Sequence, residues 1–149
     1  QQNKSNGSIK IFLLGSKKEI VNLAAMNITT NYTNIHVVGT HHGYFQECDE
    51  AELIKNINEV APDILFVALG APKQEKWIHL NHNKLKVKIL MGVGGSFDVI
   101  SGNVKRAPIW FQKNNLEWFY RLIKAPSRII RMMALPKFLL LVLKYKIKN

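Results

Sequence analysis

Three short segments hold the side chains best suited to chemistry. Gly70-Ala71-Pro72-Lys73-Gln74-Glu75 joins an apolar run to a helix-like pattern. Backbone N–H groups at such a helix start suit a phosphate or a sugar hydroxyl. Gln74 can both donate and accept hydrogen bonds, as a hydroxyl-rich ligand requires. Glu75 and Lys76 read equally well as an ordinary solvated first turn. Gly92-Val93-Gly94-Gly95-Ser96-Phe97-Asp98 follows the next apolar run. The adjacent glycines Gly94 and Gly95 let a backbone approach a ligand closely. Asp98 can accept from a ribose hydroxyl or a uracil imide N–H, or can simply cap a helix. In Gly39-Thr40-His41-His42-Gly43-Tyr44 the paired histidines have no Asp/Cys cluster beside them. A structural or substrate-positioning role therefore fits them better than a zinc site.

Other chemistries lack their motifs. No DxD-type carboxylate pair is present for a nucleotide-bound divalent ion. The turn Gly15-Ser16-Lys17-Lys18 is neither a P-loop nor a GxGxxG turn, which argues against an ATPase or an NAD enzyme. The single cysteine, Cys48, excludes an internal disulfide and fits a reducing cytoplasm.

A fourth group is cationic. Arg121, Lys124, Arg128 and Arg131 recur at helical steps, so they share a stripe unless Pro126 bends it. Arginine forks bind phosphate bidentately and suit a diphosphate; the alternative is a solvated face. The wider charge distribution favours an anionic partner. Residues 1–103 carry 10 Lys/Arg and 9 Asp/Glu, whereas residues 104–149 carry 11 Lys/Arg and one acid, Glu117. Nearly all of the net charge of +11 thus lies in the last segment. The candidate polyanions are nucleic acid, an anionic membrane and a diphosphate substrate. Trp110, Phe111, Trp118, Phe119 and the run Phe138 to Leu143 interleave with these charges. The run is too short to span a bilayer, but the mixture suits a helix lying on a membrane surface.

These groups need a scaffold, and residues 1–103 read as one. Gln1 to Ser8 is a polar lead-in with no signal-peptide pattern. Apolar runs at Ile9–Leu14, Ile35–Val38, Ile64–Leu69 and Val87–Val93 predict four strands. Helical spacing lies between them. Ile20, Leu23, Ala24 and Ile28 form one expected face, and Leu53, Ile54, Ile57 and Val60 another. Pro72 suits the first turn of a third helix. The alternation predicts an α/β fold: a Rossmann-like parallel sheet with helices on both faces. Right-handed crossovers would bring the four strand ends to one edge, each with glycine: Gly15, Gly39, Gly70 and Gly94-Gly95. Ligands sit beyond that edge in such sheets. Residues 96–107 read as a loop or short irregular helix. The rest, divided by Pro126 and Pro136, reads as a basic helical appendage over residues 104–149.

At these segments the sequence resembles the WecG/TagA/CpsF family of glycosyltransferases. The resemblance rests on Val38-Gly39-Thr40-His41-His42-Gly43-Tyr44-Phe45, Leu69-Gly70-Ala71-Pro72-Lys73-Gln74-Glu75-Lys76-Trp77, and the Gly92 to Asp98 segment. It continues through Val104-Lys105-Arg106-Ala107-Pro108, Leu116-Glu117-Trp118-Phe119-Tyr120-Arg121-Leu122 and Pro126-Ser127-Arg128. It implies transfer of an N-acetylmannosamine-type sugar from a UDP-sugar donor to a polyprenyl-diphosphate-linked N-acetylglucosamine acceptor. The implied reaction inverts the anomeric centre, without metal or other cofactor, in wall teichoic acid-like polysaccharide synthesis. The implied location is peripheral, on the cytoplasmic face of the bacterial plasma membrane, with an anionic membrane surface as partner. By the same resemblance Gln74, Arg121, Arg128 and Arg131 act at the reacting groups, and Thr40, Tyr44, Gly94, Gly95 and Asp98 bind the nucleotide sugar. The family's proposed general-base aspartate belongs to an N-terminal half that residues 1–149 do not include.

Two other classes compete with this reading. One is a nucleotide-sugar epimerase using NAD, disfavoured by the absent GxGxxG turn. The other is a binding module with a nucleic-acid-binding tail, a partner the resemblance does not call for. A homo-oligomer is compatible with all three.

Overall fold

A computed structural model describes residues 8–104, 108–114, 116, 120, 142 and 145. The chain divides into two compact units, residues 1–105 and 106–149. The first unit contains four strands: β1 (Ile9–Gly15), β2 (Ile35–His41), β3 (Ile64–Ala68) and β4 (Ile89–Gly92). Its helices are α1 (Lys18–Asn31), α2 (Glu50–Val60), α3 (Lys73–Asn81) and α4 (Ser96–Ile100), with a short 3-10 turn at Glu47–Asp49 before α2.

All strand pairs are parallel, in the order β2-β1-β3-β4. Ile11 to Leu14 are buried without interruption, as expected of a strand covered on both sides. Alternation then sorts them. Phe12 and Leu14 pack with Leu53, Ile54 and Ile57 of α2 and Trp77 of α3. Ile11 and Leu13 pack with Ile20, Val21, Ala24 and Ile28 of α1 and Phe97 of α4. The α/β reading with helices on both faces is therefore correct.

Several boundaries differ from the sequence expectation. β2 runs on to His41, so Gly39 and Thr40 lie inside it and Gly39 does not mark a strand end. Gly39 serves packing: a Cβ there would fall 2.5 Å from Phe12 Cε2. Leu23 is exposed, and Val21 takes the buried position expected of it. Val60 is likewise at the surface.

The chain passes from β1 outward to β2, then back across β1 to β3. The direction of winding therefore reverses between β1 and β3. Carboxyl ends of strands flanking such a reversal form the crevice of open α/β sheets.

In the second unit, α5 (Ile109–Lys113) begins after Pro108, as proline at a helix start permits. Trp110 and Ile109 are exposed, and Trp110 meets Phe111 edge to face. Trp118, Phe119, Arg121, Lys124, Arg128, Arg131 and, apart from Val142, the run Phe138 to Leu143 lie outside the described residues. So does most of the lead-in. Among the described residues no helix is long and apolar enough to cross a membrane.

Candidate functional site

The loops at the carboxyl edge of the sheet are tied together in pairs. After β1, Ser16 takes a left-handed conformation (φ 58°) and its N–H donates to Ala68 O at the end of β3. Gly15 precedes it, and any Cβ there would run into the Ala68 carbonyl. After β2, the Gly43 N–H donates to Ser16 O at 2.8 Å. A Cβ on Gly43 would lie 3.0 Å from Leu69 Cδ2 and 3.2 Å from Gly15 Cα. The His42–Tyr44 loop therefore reaches over the end of β1, towards β3.

On the other side, β3 and β4 are joined through Gln74. Its side chain is buried, with 6% exposure. Gly94 N–H donates to Gln74 Oε1 at 3.0 Å, and Gln74 Nε2 donates to Glu75 Oε1 at 2.9 Å. The Gln74 backbone N–H donates to Gly70 O, and Gln74 lies in the first turn of α3. Gly92 leaves room for this amide, since a Cβ there would lie 2.7 Å from Nε2. Gly94 itself has a left-handed φ of 52°, and open space where a Cβ would stand. Conformation, not crowding, requires glycine at that position.

Asp98 is the third residue of α4 and does not cap it; Gly95 precedes the helix without a side-chain cap. Its main-chain carbonyl accepts from Val104 N–H and Ser101 Oγ–H. Its half-buried carboxylate makes no hydrogen bond among the described residues. Tyr44 is 72% exposed at the tip of its loop. Thr40 donates its hydroxyl to Asn22 Oδ1 of α1 at 3.0 Å. It lines an open groove of about 580 Å³ with Asn22, Met26, Val37 and Val38. Of the residues picked out from sequence, the structure thus links Gln74 directly to Gly94, and gives Thr40 a partner on α1.

The histidines form a local cluster. His42 Nδ1 accepts the Tyr44 N–H at 3.3 Å, and His41 Nδ1 lies 2.8 Å from His42 O. The His41 ring meets Phe45 edge-on. Among the described residues no three His, Cys, Asp or Glu side chains converge as a metal site would require.

Some contributors were not singled out from sequence. Ser16 and Gly43 bridge β1 and β2, and Glu50 accepts from Trp77 Nε1–H and Asn81 Nδ2–H. Glu50 looks like an ordinary first-turn acid, so nothing local marks it.

The whole chain, residues 1–149, matches the model of the glycosyl transferase WecG/TagA/CpsF family. A relative from Bacillus subtilis (strain 168), an N-acetylglucosaminyldiphosphoundecaprenol N-acetyl-beta-D-mannosaminyltransferase, is 48% identical over 135 residues. That alignment covers 91% of this chain and 52% of the relative. A protein of the same name from Staphylococcus aureus (strain MW2) is 42% identical over 139 residues, covering 93% of this chain and 54% of its own length. The chain spans about half the length of these curated relatives. With a family match along its full length and an α/β sheet to go with it, this chain belongs to the WecG/TagA/CpsF family of glycosyltransferases.

Proposed function

We propose that the chain forms the nucleotide-sugar side of an inverting transferase. The enzyme moves an N-acetylmannosamine-type sugar from UDP to polyprenyl-diphosphate-linked N-acetylglucosamine. The observation that carries this reading is the 48% identity, across 91% of the chain, to a relative named for that transfer. The glycine-bearing sheet edge supports it, because a pyrophosphate needs close backbone approach and N–H donors.

In the direct displacement, the acceptor hydroxyl attacks the anomeric carbon from the face opposite the diphosphate. The new C–O bond forms as the bond to the UDP β-phosphate oxygen breaks. UDP leaves with the bonding electron pair, and the hydroxyl proton passes to a general base. The Gly94-Gly95 loop, Asp98, Tyr44 and Thr40 bind the nucleotide sugar. Gln74 sets the Gly94 loop beside the reacting groups. Arg121, Arg128 and Arg131 stabilise the diphosphate charge as it develops. The general base is assigned to the part of the relatives' length that this chain does not span. The product feeds a wall teichoic acid-like polysaccharide at the cytoplasmic membrane face, where residues 104–149 hold the enzyme peripherally.

The test joins this chain to the segment of the Bacillus subtilis relative that it does not span. The chimera is given UDP-N-acetylmannosamine and a lipid-diphosphate N-acetylglucosamine acceptor. The expected result is acceptor-dependent UDP release with an inverted disaccharide product. The 149-residue chain alone should release little or none. Interconversion of the donor sugar without acceptor would replace the transferase by an epimerase.

A further inference from the structure

Glu50 opens α2, yet its carboxylate serves a different helix. Trp77 Nε1–H donates to Oε2 at 3.1 Å and Asn81 Nδ2–H donates to Oε1 at 2.9 Å. Asn81 is wholly buried and Trp77 nearly so. Each carboxylate oxygen thus takes one of the two donors. Loss of either bond would strand a buried N–H, which carries a desolvation penalty.

The indole held in this way supports the loop after β2. Its ring meets Phe45 edge to face, with centroids 6.4 Å apart. Phe45 in turn meets His41 at 5.7 Å and has Lys73 Nζ 5.8 Å from its centroid. Tyr44, next in sequence to Phe45, turns its ring to solvent. The Tyr44 backbone is thus fixed on both sides. On one side Gly43 is hydrogen-bonded to Ser16; on the other the Phe45 side chain is wedged against Trp77. The first anchor is backbone. The second depends on side chains and runs back to Glu50.

We propose that Glu50 is a positioning residue for the Tyr44 loop, acting through Trp77 and Phe45 to set nucleotide affinity without touching the nucleotide. The proposal rests on the nucleotide-binding reading of Tyr44 given above.

Hydrogen exchange over residues 42–46 reads the loop directly. Glu50→Gln keeps the size of the side chain but turns an NH2 towards one of the two donors. Exchange in this segment should rise about tenfold while β1 and β3 keep their protection. UDP titration gives a second readout. Glu50→Gln should weaken UDP binding about threefold to tenfold, but should weaken it no further in a Tyr44→Ala background. Should Glu50→Gln lose the fold, Trp77→Phe keeps a ring against Phe45 and deletes the N–H, and carries the same expectations. Unchanged exchange over residues 42–46 overturns the proposal, as do equal UDP losses in both backgrounds. Failure of the unaltered protein to bind UDP would sink the nucleotide reading by itself; the exchange result then decides the Glu50 claim alone.

Discussion

The backbone N–H of Gly94 is held by the side-chain oxygen of Gln74, 20 residues earlier in the chain, at 3.0 Å. This one bond fastens the loop after β4 to the first turn of the helix that follows β3. Gly92 leaves the space that the Gln74 amide occupies, and under the proposed function the glutamine would act on the nucleotide sugar through the loop it holds.

Gln74→Leu should therefore loosen the Gly94-Gly95 loop, because it removes the acceptor and strands a half-buried N–H. Gly92→Ala should do the same by displacing the amide. Each should weaken UDP binding roughly tenfold, the equivalent of about 1.4 kcal/mol. Calorimetric titration checks this. Unaltered affinity in both variants would mean that the loop needs no such tie.

Gly39 lies under the Phe12 ring in the middle of β2. Gly39→Ala should destabilise the first unit by about 1–3 kcal/mol through overpacking. Phe12→Leu should recover part of that loss in the double variant. Thermal denaturation of the four proteins measures the coupling, and strict additivity would show that the two side chains do not compete for space.

Asp63 ties three strands at the opposite edge. Its carboxylate accepts from Lys88 Nζ at 2.7 Å and from the Lys10 N–H at 2.9 Å, while Ile89 N–H donates to its carbonyl. The Lys88 bond, followed by the Lys10 bond, holds the carboxyl below its ordinary pKa. A lowered folded-state pKa gives stability that is present above the unfolded value and lost as pH falls through the folded one. Asp63→Asn should therefore be less stable than the unaltered protein at neutral pH. The gap should begin to narrow below about pH 4, where the unfolded carboxylate protonates, and close as pH falls through the lower folded-state value. Denaturant midpoints followed from about pH 7 downward test it; a gap that does not narrow in acid would point to shape and not charge.

Arg121→Ala, Arg128→Ala and Arg131→Ala should each lower turnover of the chimeric transferase while leaving the α/β unit folded. Loss of one charge-assisted bond to phosphate costs on the order of 1.5–3 kcal/mol, or roughly ten- to hundredfold in rate. Steady-state rates together with circular dichroism separate chemistry from folding. Near-normal rates for all three would return these arginines to a solvated face.

Residues 104–149 should bind acidic vesicles reversibly, since 11 of their residues are Lys or Arg against one acid. Each basic residue that reaches an anionic surface contributes about 1 kcal/mol. The attraction should fade with salt, as screening shortens to about 8 Å at physiological strength. Co-sedimentation with acidic and neutral vesicles, at low and high salt, measures it. Equal, salt-independent pelleting with both would remove the electrostatic part, and tight RNA binding without pelleting would reassign the segment to nucleic acid.

The sequence by itself determined which elements exist. Apolar runs marked all four strands, glycines flagged the turns after β1, β3 and β4, and Pro72 announced α3. Those signals are local, carried by residues a few positions apart. Even at that range the sequence was ambiguous where two spacings fit one helix. Leu23 is three residues from Ile20 and Val21 three from Ala24, so both fit helical steps, but Leu23 lies about a third of a turn from the centre of the face that α1 lays on the sheet. Only the tertiary structure decided the strand order β2-β1-β3-β4, and with it which loops could meet. The ties from Gly94 to Gln74, from Gly43 to Ser16 and from Trp77 to Glu50 each cross between elements, and the last spans 27 residues. No periodicity encodes such pairs. They arise because burying both faces of one sheet leaves its helices and loops a single arrangement in which the buried donors find acceptors.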